Sequence, residues 1–165
     1  MQELKSKRAP NNPTQVLEDA SRPGISSIDD QPALDSGRVL EAVRLLVIDD
    51  NRDGADILGI LIEERGGLVR VAYDGASGLL AAQEFKPEVV LLDIGLPDMD
   101  GYEVCRRLRA VVGRDMRIVA LTGWGEDRDK QRTIDAGFDA HLTKPADPRQ
   151  LAETIRALKS STIRP

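Results

Sequence analysis

Short apolar runs alternate with amphipathic stretches from Val43 to the end of the chain. Three of the runs are nearly continuous in Val, Ile and Leu, which is typical of strands covered on both faces of a sheet. The pattern predicts five strands: Arg44 to Ile48, Leu68 to Tyr73, Glu88 to Leu92, Arg117 to Leu121 and Ala140 to Thr143.

The stretches between and after these strands have apolar residues at helical spacing. In the first stretch, Ile57, Leu58, Leu61 and Ile62 are predicted to share one buried face. The predicted helices are Arg52 to Arg65, Ala76 to Phe85, Tyr102 to Val112, Asp127 to Ala136 and Pro148 to Lys159. Five strands alternating with five helices predict a doubly wound, three-layer α/β domain with a five-stranded, mostly parallel sheet.

Residues 1–42 differ in composition from the rest of the chain. They contain four of the nine prolines, no aromatic residue and only eight Leu, Ile, Val or Phe residues. Such a segment has too little apolar surface to order itself. We therefore predict a disordered leader or linker over 1–42, one folded domain over 43–160 and a short tail over 161–165.

Composition and charge exclude several classes of protein. No apolar run approaches the roughly 20 residues of a membrane span, and no signal peptide is evident, so a cytoplasmic protein is expected. The 28 acidic residues outnumber the 23 Lys and Arg residues, which argues against direct nucleic-acid binding. With only Cys105 and His141, an internal disulfide or an ordinary zinc site is excluded, and Cys105 is predicted to be buried and unreactive.

Polar side chains follow four of the five predicted strands. Asp49-Asp50 follow the first strand, Asp93 the third, Thr122 the fourth and Lys144-Pro145 the fifth. The carboxyl ends of parallel strands meet at one edge of the sheet, where ligands bind in folds of this class. We therefore expect these side chains to form one site.

The chemistry of this set points to a phosphoryl group and a metal ion. Three converging carboxylates repel one another unless they share a cation, and Mg²⁺ prefers oxygen ligands. Lys144 would supply a second positive charge for a phosphoryl dianion, and Thr122 a hydroxyl donor. Asp93 would then be the nucleophile.

Four segments resemble the receiver domain of two-component response regulators, the CheY-like domain. They are LLVIDDN at Leu45 to Asn51, VVLLDIGLPDMDGYEVCRRLR at Val89 to Arg109, IVALTGW at Ile118 to Trp124 and AGFDAHLTKP at Ala136 to Pro145. The resemblance extends from Val43 to about Lys159. It implies a flavodoxin-like fold and a signalling switch rather than an enzyme that turns over a metabolite.

The resemblance also implies roles for the acidic residues. Asp93 would accept a phosphoryl group from a histidine of a sensor histidine kinase or a histidine phosphotransfer protein. Asp50 and Asp93 would bind Mg²⁺ directly, together with the backbone carbonyl of Gly95. Asp49 would act mostly through a coordinated water.

The remaining site residues follow from the same resemblance. Thr122 and Lys144 would hold the phosphoryl oxygens, and the peptide bond before Pro145 would be cis. His141 stands where the family usually has Tyr or Phe. It is either a partly buried packing residue or a switch residue that moves with Thr122 and makes signalling pH-dependent.

Trp124 lies two residues after Thr122. Its side chain either covers the sheet edge or limits attack of water on an aspartyl phosphate, which would lengthen the lifetime of that group. In both cases it is expected to report ligand binding by its fluorescence.

The predicted function is a phosphorylation-controlled switch that binds a downstream protein through the surface of its fourth and fifth helices, with a homodimer as a possible state. A stand-alone receiver is expected over a domain cut from a hybrid kinase, since the sequence starts at Met1 and few residues follow the last helix. The alternative is an interaction module that acts without phosphorylation. A phosphatase acting on free substrates would need a further acid or base beside Asp93.

Two other motif interpretations concern the acidic segments. Asp49 to Gly54 matches the start of a calcium loop, but Ile60 occupies the position of its essential glutamate. The segment Asp98 to Gly101 looks like the nucleophile motif of haloacid-dehalogenase-type phosphatases, but it follows Leu96-Pro97 with no apolar strand before it, so it is interpreted as a turn entering a helix. For Asp50 and Asn51, capping of the first helix is the structural alternative.

Overall fold

The computed structural model describes residues 40–123 and 130–161. Strands and helices alternate strictly over these residues. The strands are β1 (Arg44–Ile48), β2 (Leu68–Ala72), β3 (Val89–Asp93), β4 (Arg117–Thr122) and β5 (Ala140–Thr143). The helices are α1 (Arg52–Glu63), α2 (Gly75–Phe85), α3 (Gly101–Val112), α4 (Lys130–Ala136) and α5 (Pro148–Ser160). The predicted start of the fourth helix, Asp127, lies outside the described residues.

All five strands are parallel and form one sheet in the order β2-β1-β3-β4-β5. The chain moves from β1 to one neighbour, β2, and then crosses to the other neighbour, β3. This reversal places the ligand-binding crevice of the fold at the carboxyl ends of β1 and β3. Ile48 is paired with Leu92, so Asp49 and Asp93 follow adjacent positions of the two central strands.

The apolar residues of the central strands alternate between two cores. One core lies under α2 and α3 and includes Leu46, Ile48, Val90, Leu92, Ile118 and Ala120. The other lies under α1 and α5 and includes Leu45, Val47, Val89, Leu91, Val119 and Leu121. Helices therefore cover both faces of the sheet, and the predicted doubly wound, three-layer fold is confirmed.

The buried face of α1 differs from the prediction. Its buried residues are Ala55, Leu58, Gly59 and Ile62, whereas Ile57 is 58% exposed. A helix turns by about 100° per residue, so Ile57 lies nearly opposite Ala55. Gly59 brings the helix close to the sheet, because a Cβ atom there would lie 3.3 Å from Val71 Cγ2.

Packing begins slightly before the predicted domain boundary at residue 42. Leu40 is 1% exposed, belongs to the core under α1 and α5, and donates its N–H to the carbonyl of Arg65 at 3.1 Å. The remainder of the predicted leader, 1–39, and residues 162–165 of the predicted tail lie outside the described residues. Among the helices that are described, none is both long enough and apolar enough to cross a membrane.

Cys105 lies on the inward face of α3 and is fully buried. Burial in apolar surroundings raises the pKa of its thiol to about 12. The thiol therefore stays protonated near neutral pH, in agreement with its predicted packing role.

Candidate functional site

The buried polar side chains converge on the carboxyl edge of the sheet. Asp49, Asp93 and Thr122 are each 5% exposed, and they are the polar or charged residues buried within the described part of the chain. They lie at the ends of the three central strands, β1, β3 and β4. Burying a carboxylate is costly unless it is paired or serves a function, so this edge is the strongest candidate for a site.

Lys144 joins the two buried carboxylates. Its Nζ atom lies 2.9 Å from Asp49 Oδ2 and 2.8 Å from Asp93 Oδ2. The other oxygen of each carboxylate accepts a backbone hydrogen bond, from Asn51 N–H at 3.0 Å and from Gly95 N–H at 2.9 Å. Every oxygen of the two carboxylates therefore has a donor, and the position of both groups is fixed.

The ionisation of the pair reflects burial and charge together. Burial raises the pKa of Asp49 above its ordinary value, and the hydrogen bond and charge of Lys144 offset this only in part. Burial alone would lower the pKa of Lys144, but its hydrogen bonds to Asp93 and Asp49 outweigh that effect and raise the pKa. The ammonium group therefore remains charged at neutral pH.

The donor set fits a hard divalent cation. Asp49, Asp50 and Asp93 each offer one carboxylate oxygen, and these oxygens lie within 4.8 Å of one another. Three carboxylates and the Lys144 ammonium leave two negative charges, which a divalent cation would balance. Asp50 is exposed, so the open side of the cluster has room for the waters that Mg²⁺ retains.

Asn51, rather than either aspartate, caps α1. Its Oδ1 atom accepts a hydrogen bond from Gly54 N–H at 3.1 Å. The capping alternative therefore applies to Asn51. Asp49 and Asp50 are left for the acidic cluster.

The loop after β3 connects the site to two helices. The Asp98 carboxylate accepts hydrogen bonds from Gly75 N–H at 2.9 Å and Ala76 N–H at 3.1 Å, at the start of α2. These bonds lower the pKa of Asp98. Asp100 caps α3 through Tyr102 N–H at 2.9 Å. The predicted turn at Asp98 to Gly101 is observed. The hydrogen bonds between Asp98 and the start of α2 could not be predicted, because no local sequence pattern indicates them.

Thr122 and His141 lie on neighbouring strands but in different environments. Thr122 is buried, and its hydroxyl donates to the carbonyl of Leu142 at 3.5 Å, a long hydrogen bond. His141 is paired in register with Ala120 on the edge strand β5, and its side chain is exposed. The interpretation of His141 as a partly buried packing residue was therefore wrong, because the side chain at this position of the edge strand is exposed.

The other predicted positions are placed as follows. The peptide bond between Lys144 and Pro145 is cis. For Gly95, the observed contact with Asp93 is made by its N–H group, so metal binding by its carbonyl stays a prediction. Trp124 lies outside the described residues.

Two surface cavities lie at the opposite, amino edge of the sheet. Their volumes are about 570 and 360 Å³, and Glu88 and Asp115 line both. Neither cavity is lined by a residue of the acidic cluster. The candidate site is therefore separate from both cavities.

The fold and site correspond to a known class of signalling domain. Residues 45–156 match the family described as the response regulator receiver domain. The chain belongs to this family, and the resemblance seen in the sequence is confirmed.

Individual relatives agree with this assignment. The chain is 38% identical over 122 residues to the DNA-binding dual master transcriptional regulator RpaA of Synechocystis, covering 73% of this chain and 51% of that protein. It is 39% identical over 114 residues to the DNA-binding response regulator MtrA of Mycobacterium tuberculosis, covering 69% of this chain and 49% of MtrA. The chain therefore spans about half the length of these relatives.

Solved structures with the same fold are closer in length. A response regulator from Chloroflexus aurantiacus aligns with a TM-score of 0.67 and 28% identity, covering 73% of this chain and 99% of that one. A CheY-like receiver domain protein from Methanospirillum hungatei aligns with a TM-score of 0.66 and 30% identity, covering 73% and 96%. These neighbours match the receiver part of the chain.

Proposed function

We propose that this receiver is a phosphorylation-controlled switch whose acceptor is Asp93. The phosphoryl donor would be a phosphohistidine of a sensor histidine kinase or a histidine phosphotransfer protein. The observation that supports this most strongly is the bridge of Lys144 between the buried carboxylates of Asp49 and Asp93. A cation held at the acceptor carboxylate is suited to an incoming dianion.

The transfer forms one bond and breaks one. A carboxylate oxygen of Asp93 attacks phosphorus while the P–N bond of the donor breaks, and the donor's imidazole, already protonated on its other ring nitrogen, leaves as the neutral ring. Such transfers depend mainly on positioning and on neutralising the charge of the phosphoryl oxygens. Lys144 supplies charge, and the Thr122 hydroxyl is a further donor at the same edge.

Asp49, Asp50 and Asp93 would hold Mg²⁺, with the Gly95 carbonyl as a proposed further ligand. The bound ion would neutralise charge on the transferred phosphoryl group. Asp49 and Asp93 are already oriented by backbone donors, so the ligands need little reorganisation to bind it. The domain would catalyse only its own phosphorylation and dephosphorylation, and we do not propose activity on a free metabolite.

The output of the switch would be a change in protein binding. A new dianion at Asp93 would attract the Thr122 hydroxyl and alter the surface formed by α4, β5 and α5, where His141 lies. That surface would bind or release a downstream protein, or a second copy of the chain. RpaA and MtrA are named as DNA-binding, but the match covers about half of each, and direct nucleic-acid binding by this chain is not proposed.

Intact mass after incubation with acetyl phosphate tests the proposal. The native chain should gain one phosphoryl group with Mg²⁺ and none with a chelator, and Asp93→Asn should gain none. Asp115→Asn is the matched control, since Asp115 is exposed at the opposite edge of the sheet. If the native chain binds Mg²⁺ and small phosphoryl mimics but is never phosphorylated, even by phosphohistidine proteins, the phosphorylation-independent module becomes the better account.

A further inference from the structure

The described part of helix α4, Lys130–Ala136, packs mainly against α3. Among its described side chains, those of residues 132–136, only Ala136 is buried, and Ile134 is 66% exposed. Among the contacts that these described residues make, the one with α3 is therefore the main one.

Arg132 makes that contact at the start of α3. Its guanidinium carbon lies 4.3 Å from the centre of the Tyr102 ring, and its Nη2 atom lies 3.4 Å from Asp100 Oδ2. The Tyr102 ring is buried and meets Phe138 edge-on, with 6.0 Å between the ring centres. Tyr102 thus contacts Arg132 within α4 and Phe138 just after it.

The first turn of α3 lies directly against the phosphoacceptor backbone. Gly101 N–H donates to the carbonyl of Ile94 at 3.2 Å. A Cβ atom on Gly101 would lie 2.5 Å from the carbonyl oxygen of Asp93 and 2.6 Å from Ile94 Cα. Because no space separates these segments, a backbone shift at Asp93 also displaces the turn that carries Asp100 and Tyr102.

We propose that Arg132 is a positioning residue that latches α4 onto the first turn of α3 in the unphosphorylated protein, so that phosphorylation of Asp93 works against the latch. The inference rests on the proposed function and assigns a regulatory contact to it. The Arg132 side chain is 57% exposed and the Asp100 side chain 49% exposed. The contact can therefore open without leaving a buried charge unpaired.

The strength of the latch suits a reversible switch. Exposed ion pairs and cation–π contacts together change an equilibrium by about three- to tenfold. Coupling between two sites is reciprocal. If phosphorylation weakens the contact between Arg132 and α3, that contact must in turn weaken the binding of a phosphoryl mimic at Asp93. Removal of the contact should then raise the affinity for the mimic by the factor that the contact contributed.

The test is the affinity for beryllofluoride in saturating Mg²⁺, measured by calorimetry or by fluorescence of the single tryptophan, Trp124. Arg132→Ala should bind about three- to tenfold more tightly than the native chain. Arg132→Lys, which keeps the charge but loses the planar stacking group, should fall between them. Arg107→Ala is the matched control, because Arg107 is an exposed arginine paired with Glu103 within α3, and it should bind as the native chain does.

A merely structural contact would give the opposite sign or no change. Equal or weaker binding by Arg132→Ala, in a variant shown to be folded by its urea unfolding curve, would overturn the latch and leave the proposed function intact. If the native chain neither binds beryllofluoride nor accepts a phosphoryl group, the proposed function fails and the latch fails with it. The two failures are therefore distinguishable.

Discussion

Charged residues cluster at both edges of the sheet, but their surroundings differ. At the carboxyl edge, Asp49 and Asp93 share the ammonium of Lys144. At the amino edge, Arg109 and Asp139 form an ion pair that is 12 to 13% exposed. Both edges thus contain ion pairs largely shielded from solvent, and the difference lies in their other partners.

At the amino edge the ion pair completes the hydrogen bonding of the backbone. Arg109 also donates to the carbonyls of Gly137 at 2.8 Å, Gly113 at 3.0 Å and Met116. Asp139 accepts from Ile118 N–H at 2.7 Å. The pair therefore joins the end of α3, the start of β4 and the segment before β5, as expected of a structural role.

At the carboxyl edge three carboxylates face one ammonium, and negative charge is left over. Crowded like charges reduce stability in the absence of a counter-ion. An ion pair that also supplies hydrogen-bond partners to backbone groups therefore indicates a structural role. An excess of negative charge held in a fixed geometry indicates a binding role. Substitutions at the two edges should separate these roles.

The largest effect on stability is expected at the amino edge. Asp139→Asn should lower the free energy of unfolding by about 2 to 4 kcal/mol, because it leaves the Arg109 guanidinium without its charged partner. Asp93→Asn should change it by less than about 1 kcal/mol in metal-free buffer, since relief of repulsion offsets the weakened bond to Lys144. Urea unfolding of both variants measures the difference. Equal losses would contradict the distinction between the edges.

Magnesium should stabilise the protein through the carboxyl edge alone. At a concentration of about 100 times the dissociation constant, the gain is about 2.7 kcal/mol. Asp50→Asn should lose most of this gain, whereas Asp139→Asn should keep it despite its lower starting stability. Thermal unfolding with Mg²⁺ or a chelator measures both. A gain that survives Asp50→Asn would place the ion elsewhere.

Asp98 offers a smaller effect, at the connection between the loop after β3 and α2. Asp98→Ala should lower the free energy of unfolding by about 1 kcal/mol, because two N–H groups at the start of α2 lose their acceptor. Urea unfolding of the native chain and this variant at neutral pH measures the loss. No loss would show that solvent replaces the carboxylate without cost.

The pH dependence of stability should differ in sign between Asp98 and Asp49. Hydrogen bonds lower the pKa of Asp98, so its contribution is present above the ordinary aspartate pKa and is lost as pH falls through the folded-state value. Burial raises the pKa of Asp49, so in metal-free protein its contribution is present at low pH and is lost as pH rises through the folded-state value. The free energy of unfolding should be measured against pH across the acidic range for Asp98→Asn and Asp49→Asn. Asp98→Asn should remove the part of the stability that rises with pH, and Asp49→Asn the part that falls with pH.

The smallest effect is expected for the exposed pair of Lys159 and Glu88, whose Nζ and Oε2 atoms lie 3.2 Å apart. Lys159→Ala should change the free energy of unfolding by less than about 0.5 kcal/mol, because solvent screens the pair. The measurement is again urea unfolding. A loss comparable to that of Asp139→Asn would show that exposure does not separate strong pairs from weak ones here.

The fold and most of the site were predictable because their signals are local. Continuous apolar runs marked the central strands, and the polar residue after each run, such as Asp93 or Lys144, marked the common edge. The Arg109–Asp139 pair was not predictable, because its members lie 30 residues apart and each resembles a surface charge. The exposure of Ile57 was mispredicted because the buried face of α1 includes the small residues Ala55 and Gly59, which carry little hydrophobic signal in the sequence, so that the face is turned away from Ile57.

The most direct test is phosphoryl transfer from phosphoramidate, whose P–N bond matches that of phosphohistidine, followed by peptide mapping. The account predicts one phosphoryl group on Asp93, a rate that saturates with Mg²⁺, and loss of the reaction in Asp93→Asn but not in Asp115→Asn. Incorporation that is independent of Mg²⁺, or that maps to a residue other than Asp93, would contradict it.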